Sequence, residues 1–157
     1  MTFPLPGRDR MMAWMSGRTC EGLALLAARM ALAGVFWRSG RTKVVEGTWL
    51  QVSDATRYLF ANEYSAVPLP PDLGATLATG AEFFLPILLL AGFGTRLSAA
   101  GLLAMTVMIQ LFVYPAAWPL HLQWAALALV LISRGGGLFS LDTAVRIAAD
   151  RGAARNV

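Results

Sequence analysis

The sequence predicts an all-α polytopic membrane protein, a four-transmembrane-helix bundle with an amphipathic interfacial segment between its first and second membrane helices. Hydrophobic residues make up 57% of the 157 residues and charged residues only 14%, where soluble domains hold roughly 45–50% and about 25%. The mean hydropathy is +0.57. Four apolar runs approach the length of about 20 residues that crosses the hydrocarbon core of a bilayer as a helix.

The charge balance favours a membrane over nucleic acid as the partner. The sequence pI is near 10.0, but the basic residues flank apolar runs and form no patch interleaved with aromatic residues, which is typical of membrane helices. We therefore expect a lipid bilayer and no nucleic acid. One cysteine and one histidine cannot build a tetrahedral Cys/His zinc site, so no metal site is predicted within this chain.

Residues 1–21 are basic and interfacial in character. Met11, Met12 and Met15 surround Trp14, a composition typical of a segment lying at the headgroup level. The alternative use of the methionines is as soft sulfur ligands for Cu(I). A cleaved signal peptide is disfavoured because Arg29 interrupts the apolar run that follows.

The first membrane helix is predicted from about Gly22 to Ser39. It contains Arg29, which should face a neighbouring helix because a charge facing lipid is costly. Small residues at Ala27, Ala31 and Gly34 should allow that neighbour to approach closely.

Charges of both signs return between the first two membrane helices. Residues 44–60 are predicted to form an amphipathic helix that lies along the membrane surface or caps the bundle, with one apolar face made of Val45, Trp49, Val52, Thr56, Leu59 and Phe60. Three prolines between Tyr64 and Asp72 should end it, since proline cannot continue a helix.

The second membrane helix is predicted over Leu73–Phe93, where Glu82 is the only ionisable residue. A carboxylate near the bilayer centre costs about 2.5 kcal/mol or more, so Glu82 should face the bundle interior. The third helix is predicted over Leu97–Tyr114 and the fourth over about Trp118–Ser133. Short turns join these three helices and predict antiparallel neighbours.

Residues 22–142 thus form the predicted membrane domain, and residues 143–157 a polar cytoplasmic tail. Leu141, Val145 and Ile147 indicate a short surface helix at the start of this tail. With both termini inside, eight arginines lie on the cytoplasmic side and four basic residues outside, which favours cytoplasmic termini. The expected location is the bacterial inner (plasma) membrane, crossed several times.

Arg29 and Glu82 are predicted to form an ion pair inside the bundle. Counted from the predicted helix ends, Arg29 lies about 10 Å deep and Glu82 about 16 Å deep, and an arginine side chain spans the difference. As catalytic candidates, the two residues would carry a proton or bind a small amphiphile such as a quinone head group. The alternative is a structural clasp that fixes helix packing.

A polar mouth above Glu82 is the predicted ligand-binding site. Its candidates are polar residues near one end of the bundle, together with Ser39: Lys43, Thr79, Gln110, Tyr114 and His121. His121 is the only side chain with an ordinary pKa near neutrality. Its alternative role is that of an anchor at the membrane interface.

Several short motifs, in order and spacing, resemble the DoxX family of small membrane proteins over about Ala27–Asp142. They are Arg29, Gly34, Phe36, Ser39–Gly40 and Lys43; then Gly80, Glu82, Pro86, Leu88–Leu90, Gly92 and Thr95–Arg96; and finally Gly135–Gly137 with Leu138–Asp142. The resemblance implies a four-helix inner-membrane protein linked to redox metabolism, with matching polar positions at Arg29, Lys43, Glu82 and Arg96. The segment from Tyr114 to His121 is similar to a subgroup associated with metal-stress gene clusters.

Three functions follow from these observations. The first is a quinone-interacting accessory subunit in stress- or metal-related electron transfer, which as an enzyme would be part of a quinone-linked oxidoreductase. The second is a non-catalytic membrane anchor or assembly partner for a stress or copper-handling protein. The third is a small proton-coupled exporter. A protein partner in a membrane complex is expected, and the sequence leaves open whether the chain forms a homo-oligomer.

Overall fold

The computed structural model describes residues 17–155. The helices are α1 (Arg18–Lys43), α2 (Asp54–Asn62), α3 (Pro71–Ala91), α4 (Thr95–Phe112), α5 (Trp118–Arg134) and α6 (Leu141–Arg155), with a 3₁₀ turn over Pro115–Ala117 before α5. The predicted all-α class is confirmed, because the described residues contain no strand and four helices long and apolar enough to cross a membrane. The predicted interfacial role of the N-terminal methionines, and their Cu(I) alternative, fall outside the described residues.

The four long helices α1, α3, α4 and α5 pack as an antiparallel bundle in which α1 contacts both α3 and α5. A tight turn joins α3 to α4, with Gly92 and Gly94 in the left-handed region at φ 70° and 56°, where glycine carries no steric penalty. The bundle thus has two ends. The Glu82 end holds the last turn of α1 and the start of α5, and the Arg29 end holds the α3–α4 turn and α6.

Helix α1 is longer than predicted and uses different small residues for packing. It spans 26 residues instead of Gly22–Ser39. The predicted contact residues Ala27, Ala31 and Gly34 are exposed, which corrects that expectation. The close approaches occur at two glycines instead: a Cβ on Gly22 would lie 2.9 Å from Cβ of Leu138, and one on Gly40 would lie 3.1 Å from Cβ of Glu82.

The amphipathic helix predicted over residues 44–60 is only partly formed, since the helical part is α2. Residues 44–53 fold back on themselves through a bridge between Val44 and Val52, and Gly47 turns the chain at φ 79°. The predicted face is therefore split. Phe60 is buried and packs towards α3, whereas Trp49 is 70% exposed.

Helix α6 corresponds to the surface helix predicted after residue 141. Its apolar residues Leu141, Val145 and Ile147 are all exposed. The bundle core lies between α1, α3, α4 and α5, and its most buried residues include Leu32, Phe36, Leu89, Leu102 and Leu131.

Candidate functional site

The predicted ion pair between Arg29 and Glu82 is wrong. Glu82 lies beside Ser39 of α1, and Arg29 lies beside Leu90 of α3. These contacts separate the two charges by about 12–15 Å along the bundle, at 1.5 Å per helical residue. The prediction assumed that the ends of α1 and α3 lie level, but α1 extends well past the α3–α4 turn, where Gly22 meets Leu138.

Glu82 instead pairs with Lys43, the last residue of α1. The distance from Nζ of Lys43 to Oε2 of Glu82 is 2.7 Å. Ser39 completes the group, because its hydroxyl donates to Oε1 of Glu82 at 3.1 Å and accepts from Nζ of Lys43 at 2.9 Å. The Glu82 side chain is 2% exposed and that of Lys43 17%. A buried carboxylate is thus compensated by one cation and one hydroxyl, as burial of a charge requires.

Two residues of the local backbone place Glu82 against α1. Pro86 has no N–H, so it cannot make the helical hydrogen bond to the carbonyl of Glu82 four residues earlier. Gly40 packs at that point: a Cβ on Gly40 would lie 3.2 Å from this carbonyl oxygen. The glycine therefore lets α1 and α3 touch, and it brings Ser39 and Lys43 to either side of the carboxylate.

Arg29 binds backbone carbonyls at the opposite end of the bundle. Its guanidinium donates to the carbonyls of Gly136 at 2.8 Å, Phe139 at 2.9 Å and Leu90 at 2.9 Å. The last turn of a helix leaves carbonyls without intrahelical partners, and Leu90 belongs to such a turn. Arg29 thus joins α1 to the end of α3 and to the α5–α6 loop, a structural arrangement distant from Glu82.

Asp142 of α6 supports the same end of the bundle. Its carboxylate accepts from the backbone N–H of Gly94 at 2.8 Å and of Thr95 at 2.9 Å, which caps α4. Burial raises the pKa of Asp142, but the hydrogen bonds from Thr95 and Gly94 and the charge of Arg29 outweigh burial and hold this pKa below its ordinary value.

A cavity of about 540 Å³ lies at the Glu82 end of the bundle. We call it the Glu82 cavity. Most of its wall is apolar, from side chains of α1, α3, α4 and α5, and its polar lining consists of Ser39, Lys43, Tyr64, Glu82, Tyr114 and His121. Four of these polar residues besides Ser39 belong to the predicted site, and the structure brings them together.

Besides Arg29, two predicted site residues do not line the cavity. Thr79 is buried, and its hydroxyl donates to the carbonyl of Ala75 at 2.7 Å within α3. Gln110 lies behind His121 and holds it: Nδ1 of His121 is 2.7 Å from Oε1 of Gln110, whose Nε2 donates to the carbonyl of Pro115 at 2.9 Å. Gln110 therefore positions a cavity residue.

The contacts of Gln110 also select a tautomer of His121. Because the amide nitrogen of Gln110 donates to Pro115, its oxygen faces the imidazole and can only accept. Nδ1 of His121 then carries a proton, and in the neutral imidazole Nε2 is the acceptor. No hydrogen bond engages Nε2 within residues 17–155.

Tyr64 is a cavity residue that the sequence did not single out. It follows α2, and its hydroxyl lies 2.9 Å from that of Tyr114 at the end of α4. The two rings also pack edge to face, with centroids 5.9 Å apart. Burial and the hydrogen bond to Tyr114 raise the pKa of Tyr64 above its ordinary value, so the Tyr64 hydroxyl keeps its proton. A proline-rich segment gives no periodicity from which its inward direction could be deduced.

Side chains of α3 and α4 that line the Glu82 cavity also reach the surface of the bundle. These helices touch near their shared turn, where a Cβ on Gly101 would lie 2.7 Å from Cδ1 of Leu85. Further along, Leu77 and Ala104 line the cavity and are also exposed. Both helices are apolar enough to span a bilayer, so we expect lipid against these two exposed residues.

A metal centre is not formed by the part of the chain that the structure describes. Among residues 17–155, no cluster of three histidine, cysteine, aspartate or glutamate side chains is close enough to hold a metal ion. The polar chemistry of the Glu82 cavity therefore consists of one ion pair, one histidine and hydroxyl groups.

Comparison with known proteins assigns the family. Residues 24–115 match the DoxX family, as the sequence motifs predicted. An uncharacterized protein from Haemophilus influenzae is 30% identical over 138 residues, which cover 80% of this chain and 85% of the relative. No solved structure matches. With four apolar helices and this match over most of the bundle, the chain is a multi-pass membrane protein that belongs to the DoxX family.

Proposed function

We propose that this protein is a redox-linked accessory subunit that binds quinone in the Glu82 cavity. The observation that carries the proposal is the Lys43–Glu82 ion pair, 2.7 Å between charged atoms, at the wall of a mostly apolar cavity of about 540 Å³. An ion pair that serves only to fix the packing of two helices does not need a cavity beside it. A cavity with an apolar body and a few convergent polar groups is the usual form of a small-molecule site.

The polar groups suit both oxidation states of a quinone. Lys43 is a donor for a carbonyl oxygen of the oxidised form, and Nε2 of His121 is an acceptor for a hydroxyl of the reduced form. When bound, quinone takes up two electrons and two protons to become quinol. The electrons would come from a redox protein in the same membrane complex, and Glu82 with Lys43 would hold or release a proton beside the ring.

The exposed cavity residues of α3 and α4 support a ligand that comes from the membrane. Ala104 and Leu77 lie where the cavity meets the lipid-facing surface. A quinone carries its head group on a long apolar tail, so the tail can stay in lipid while the head group reaches Lys43. The cavity volume also falls within the range of about 300–1,000 Å³ that ligand pockets share.

Extraction of bound quinone tests the proposal. The full chain is purified in mild detergent as wild type, Glu82→Gln and Glu63→Gln, and lipophilic molecules are identified by mass spectrometry. Glu63 is an exposed carboxylate outside the cavity, so it is the matched control. We expect quinone in the wild type and the control and about tenfold less in Glu82→Gln, since loss of one charged contact is worth about 1.4 kcal/mol or more.

A titration with a short-chain quinone gives an independent readout. Trp124 lines the cavity, so binding should quench its fluorescence, and Trp124→Phe should remove that signal. Absence of quinone from every sample, together with no binding in the titration, would refute the quinone proposal. Equal binding by wild type and Glu82→Gln would refute the role of Glu82.

A second candidate function is an anchor for a protein partner, such as a stress or copper-handling protein. It is favoured by apolar side chains exposed in the segment between α1 and α3: Trp49 is 70%, Leu50 48% and Tyr58 64% exposed. Replacing these three by serine should abolish co-purification of the partner. Unchanged co-purification would contradict the anchor function.

The exporter hypothesis has weaker support. A proton-coupled exporter needs a carboxylate that alternates between proton and substrate, whereas Glu82 is neutralised by Lys43 at 2.7 Å. Accumulation assays with a cationic dye in cells that express wild type or Glu82→Gln would distinguish this function, and equal dye levels would argue against it.

We further propose that the protein lies in the bacterial inner membrane with both termini in the cytoplasm. The asymmetry of basic residues supports this orientation. Reporter fusions test it: a fusion after Val157 should report the cytoplasm, and an insertion near Ser65 the exterior. The reverse pattern would invert the orientation without changing the fold.

A further inference from the structure

A second cavity, of about 710 Å³, lies at the Arg29 end of the bundle. It is bounded by the start of α1, the α3–α4 turn, the α5–α6 loop and α6. Arginines dominate its polar lining, so we call it the arginine cavity: Arg18, Arg96, Arg134 and Arg146 line it together with the acidic residues Glu21, Asp142 and Asp150.

Four arginines and three carboxylates line this cavity, so its net charge is positive, and one of the four arginines has an ion-pair partner. Arg134 pairs with Glu21 at 2.9 Å, and the Asp142 carboxylate is held by two backbone N–H groups of α4. Within residues 17–155, Arg18, Arg96 and Arg146 form no ion pair. Three guanidinium groups without an ion-pair partner thus line one cavity. Of its three carboxylates, Asp150 is the one with neither an ion pair nor a hydrogen bond to a backbone N–H among the described residues.

A buried hydroxyl group lies in the wall of this cavity. Thr95 lines the cavity and is 0% exposed, and its Oγ1 has no hydrogen-bond partner among the described residues. Gly136 packs closely against this hydroxyl, because a Cβ there would lie 2.6 Å from its oxygen. The hydroxyl therefore belongs to the packed wall, and the ligand contacts come from the arginines.

Apolar side chains at the rim indicate where the ligand comes from. Leu97 and Leu138 line the same cavity and are 81% and 47% exposed. The neighbouring Phe139 and Leu141 are exposed as well. Arginines beside exposed leucines, at the end of a membrane bundle, match a phosphate group that is attached to acyl chains and not a phosphate ion free in water.

We propose that the arginine cavity binds the phosphate group of an anionic phospholipid. The guanidinium groups of Arg96 and Arg146 donate to the phosphate oxygens, and the acyl chains lie against Leu97 and Leu138. This site is at the opposite end of the bundle from the Glu82 cavity, and it does not depend on quinone binding.

Native mass spectrometry of the full chain in detergent tests the proposal. The protein is titrated with phosphatidylglycerol, with phosphatidylcholine and with inorganic phosphate. We expect phosphatidylglycerol to bind at least about tenfold more tightly than phosphatidylcholine, and the double variant Arg96→Gln/Arg146→Gln to lose this preference. The matched control Arg38→Gln/Arg57→Gln removes two exposed charges from the Glu82 end and should keep it.

Each other outcome overturns the proposal. Equal binding of the two lipids, or equal loss in the control variant, would mean that any positive charge suffices. Binding of inorganic phosphate without a preference between the lipids would exclude the lipid as the source of the phosphate group. If the double variant does not fold, the lipid preference of Arg146→Gln alone tests the proposal. Arg96 also donates to the carbonyl of Ser133, so its loss can affect folding, whereas Arg146 lies on the exposed helix α6.

Discussion

Nζ of Lys43 lies 2.7 Å from Oε2 of Glu82, so the last residue of α1 compensates the carboxylate in the middle of α3. The pair lies at the wall of a cavity and not in a solid core. The Lys43 side chain is partly exposed and the Glu82 side chain is buried. Loss of the pair therefore destabilises the carboxylate more than the ammonium group, because water cannot replace the partner of a buried charge.

Loss of Lys43 should destabilise the bundle. In Lys43→Met the Glu82 carboxylate keeps only Ser39 as a partner, and we expect a decrease of about 2 kcal/mol in the free energy of unfolding. The measurement is unfolding in mixed micelles with increasing SDS, followed by circular dichroism.

A double-mutant cycle measures the interaction energy between Lys43 and Glu82 separately from the contribution of each side chain alone. Lys43→Met/Glu82→Gln should be more stable than Lys43→Met alone, because no unpaired charge stays buried. Arg57→Gln is the control, since its pair with Asp72 is exposed on both sides at 47% and 80% and such pairs contribute little. Strictly additive effects of the two cavity substitutions would contradict the ion pair.

Arg29→Lys should also destabilise the protein, although the charge is kept. A lysine cannot reach three carbonyls on two different segments with fixed geometry, as the guanidinium does. Two carbonyls would lose their donor, which is worth about 2 kcal/mol in total. We expect earlier unfolding and faster proteolysis near Gly136, and protection equal to the wild type would show that Arg29 does not hold this loop.

Two glycines of the same helix should respond with opposite sign to alanine. In Gly40→Ala the new Cβ would lie 3.1 Å from Cβ and 3.2 Å from the carbonyl oxygen of Glu82, so α1 and α3 must separate and the protein loses stability. Gly34 has no atom within 4 Å of that position, and Gly34→Ala should stabilise by about 0.5–1 kcal/mol through helix propensity. Thermal unfolding of both variants in one detergent makes the comparison, and equal shifts would contradict the close contact.

The contribution of Asp142 should depend on pH. The folded state holds the pKa of Asp142 below its ordinary value, so its stabilisation is fully present above the unfolded pKa of about 3.9. It is lost as the pH falls through the lower, folded pKa. Asp142→Asn should therefore unfold more easily at pH 7, by about 1 kcal/mol, and the difference from wild type should shrink below about pH 4.

The control for this pH dependence is Asp150→Asn, which alters an exposed carboxylate on the same helix. It should leave the unfolding free energy unchanged at both pH values. A difference between wild type and Asp142→Asn that stayed constant from pH 7 to pH 3 would contradict the cap on α4.

Part of the candidate site was predictable because short stretches of sequence are enough to show where a helix runs and where it turns. Lys43, Tyr114 and His121 each lie at the end of an apolar run, and all three were expected near Glu82, where the structure places them. Thr79 was expected there because it is one turn from Glu82, but its hydroxyl bonds within its own helix. Tyr64 was missed because a loop with three prolines has no repeat that assigns a direction to its side chains.

The sequence by itself determined the number, order and approximate bounds of the membrane helices, because hydrophobicity, prolines and glycines act over short stretches of chain. Only the tertiary structure decided which groups compensate Arg29 and Glu82. Sequence gives the height of a residue within its own helix. The axial offset between α1 and α3 comes instead from tertiary packing, with Gly40 of α1 against Glu82 of α3. The groups that accept from Arg29 are backbone carbonyls, which are present at every position and therefore leave no signal in the sequence.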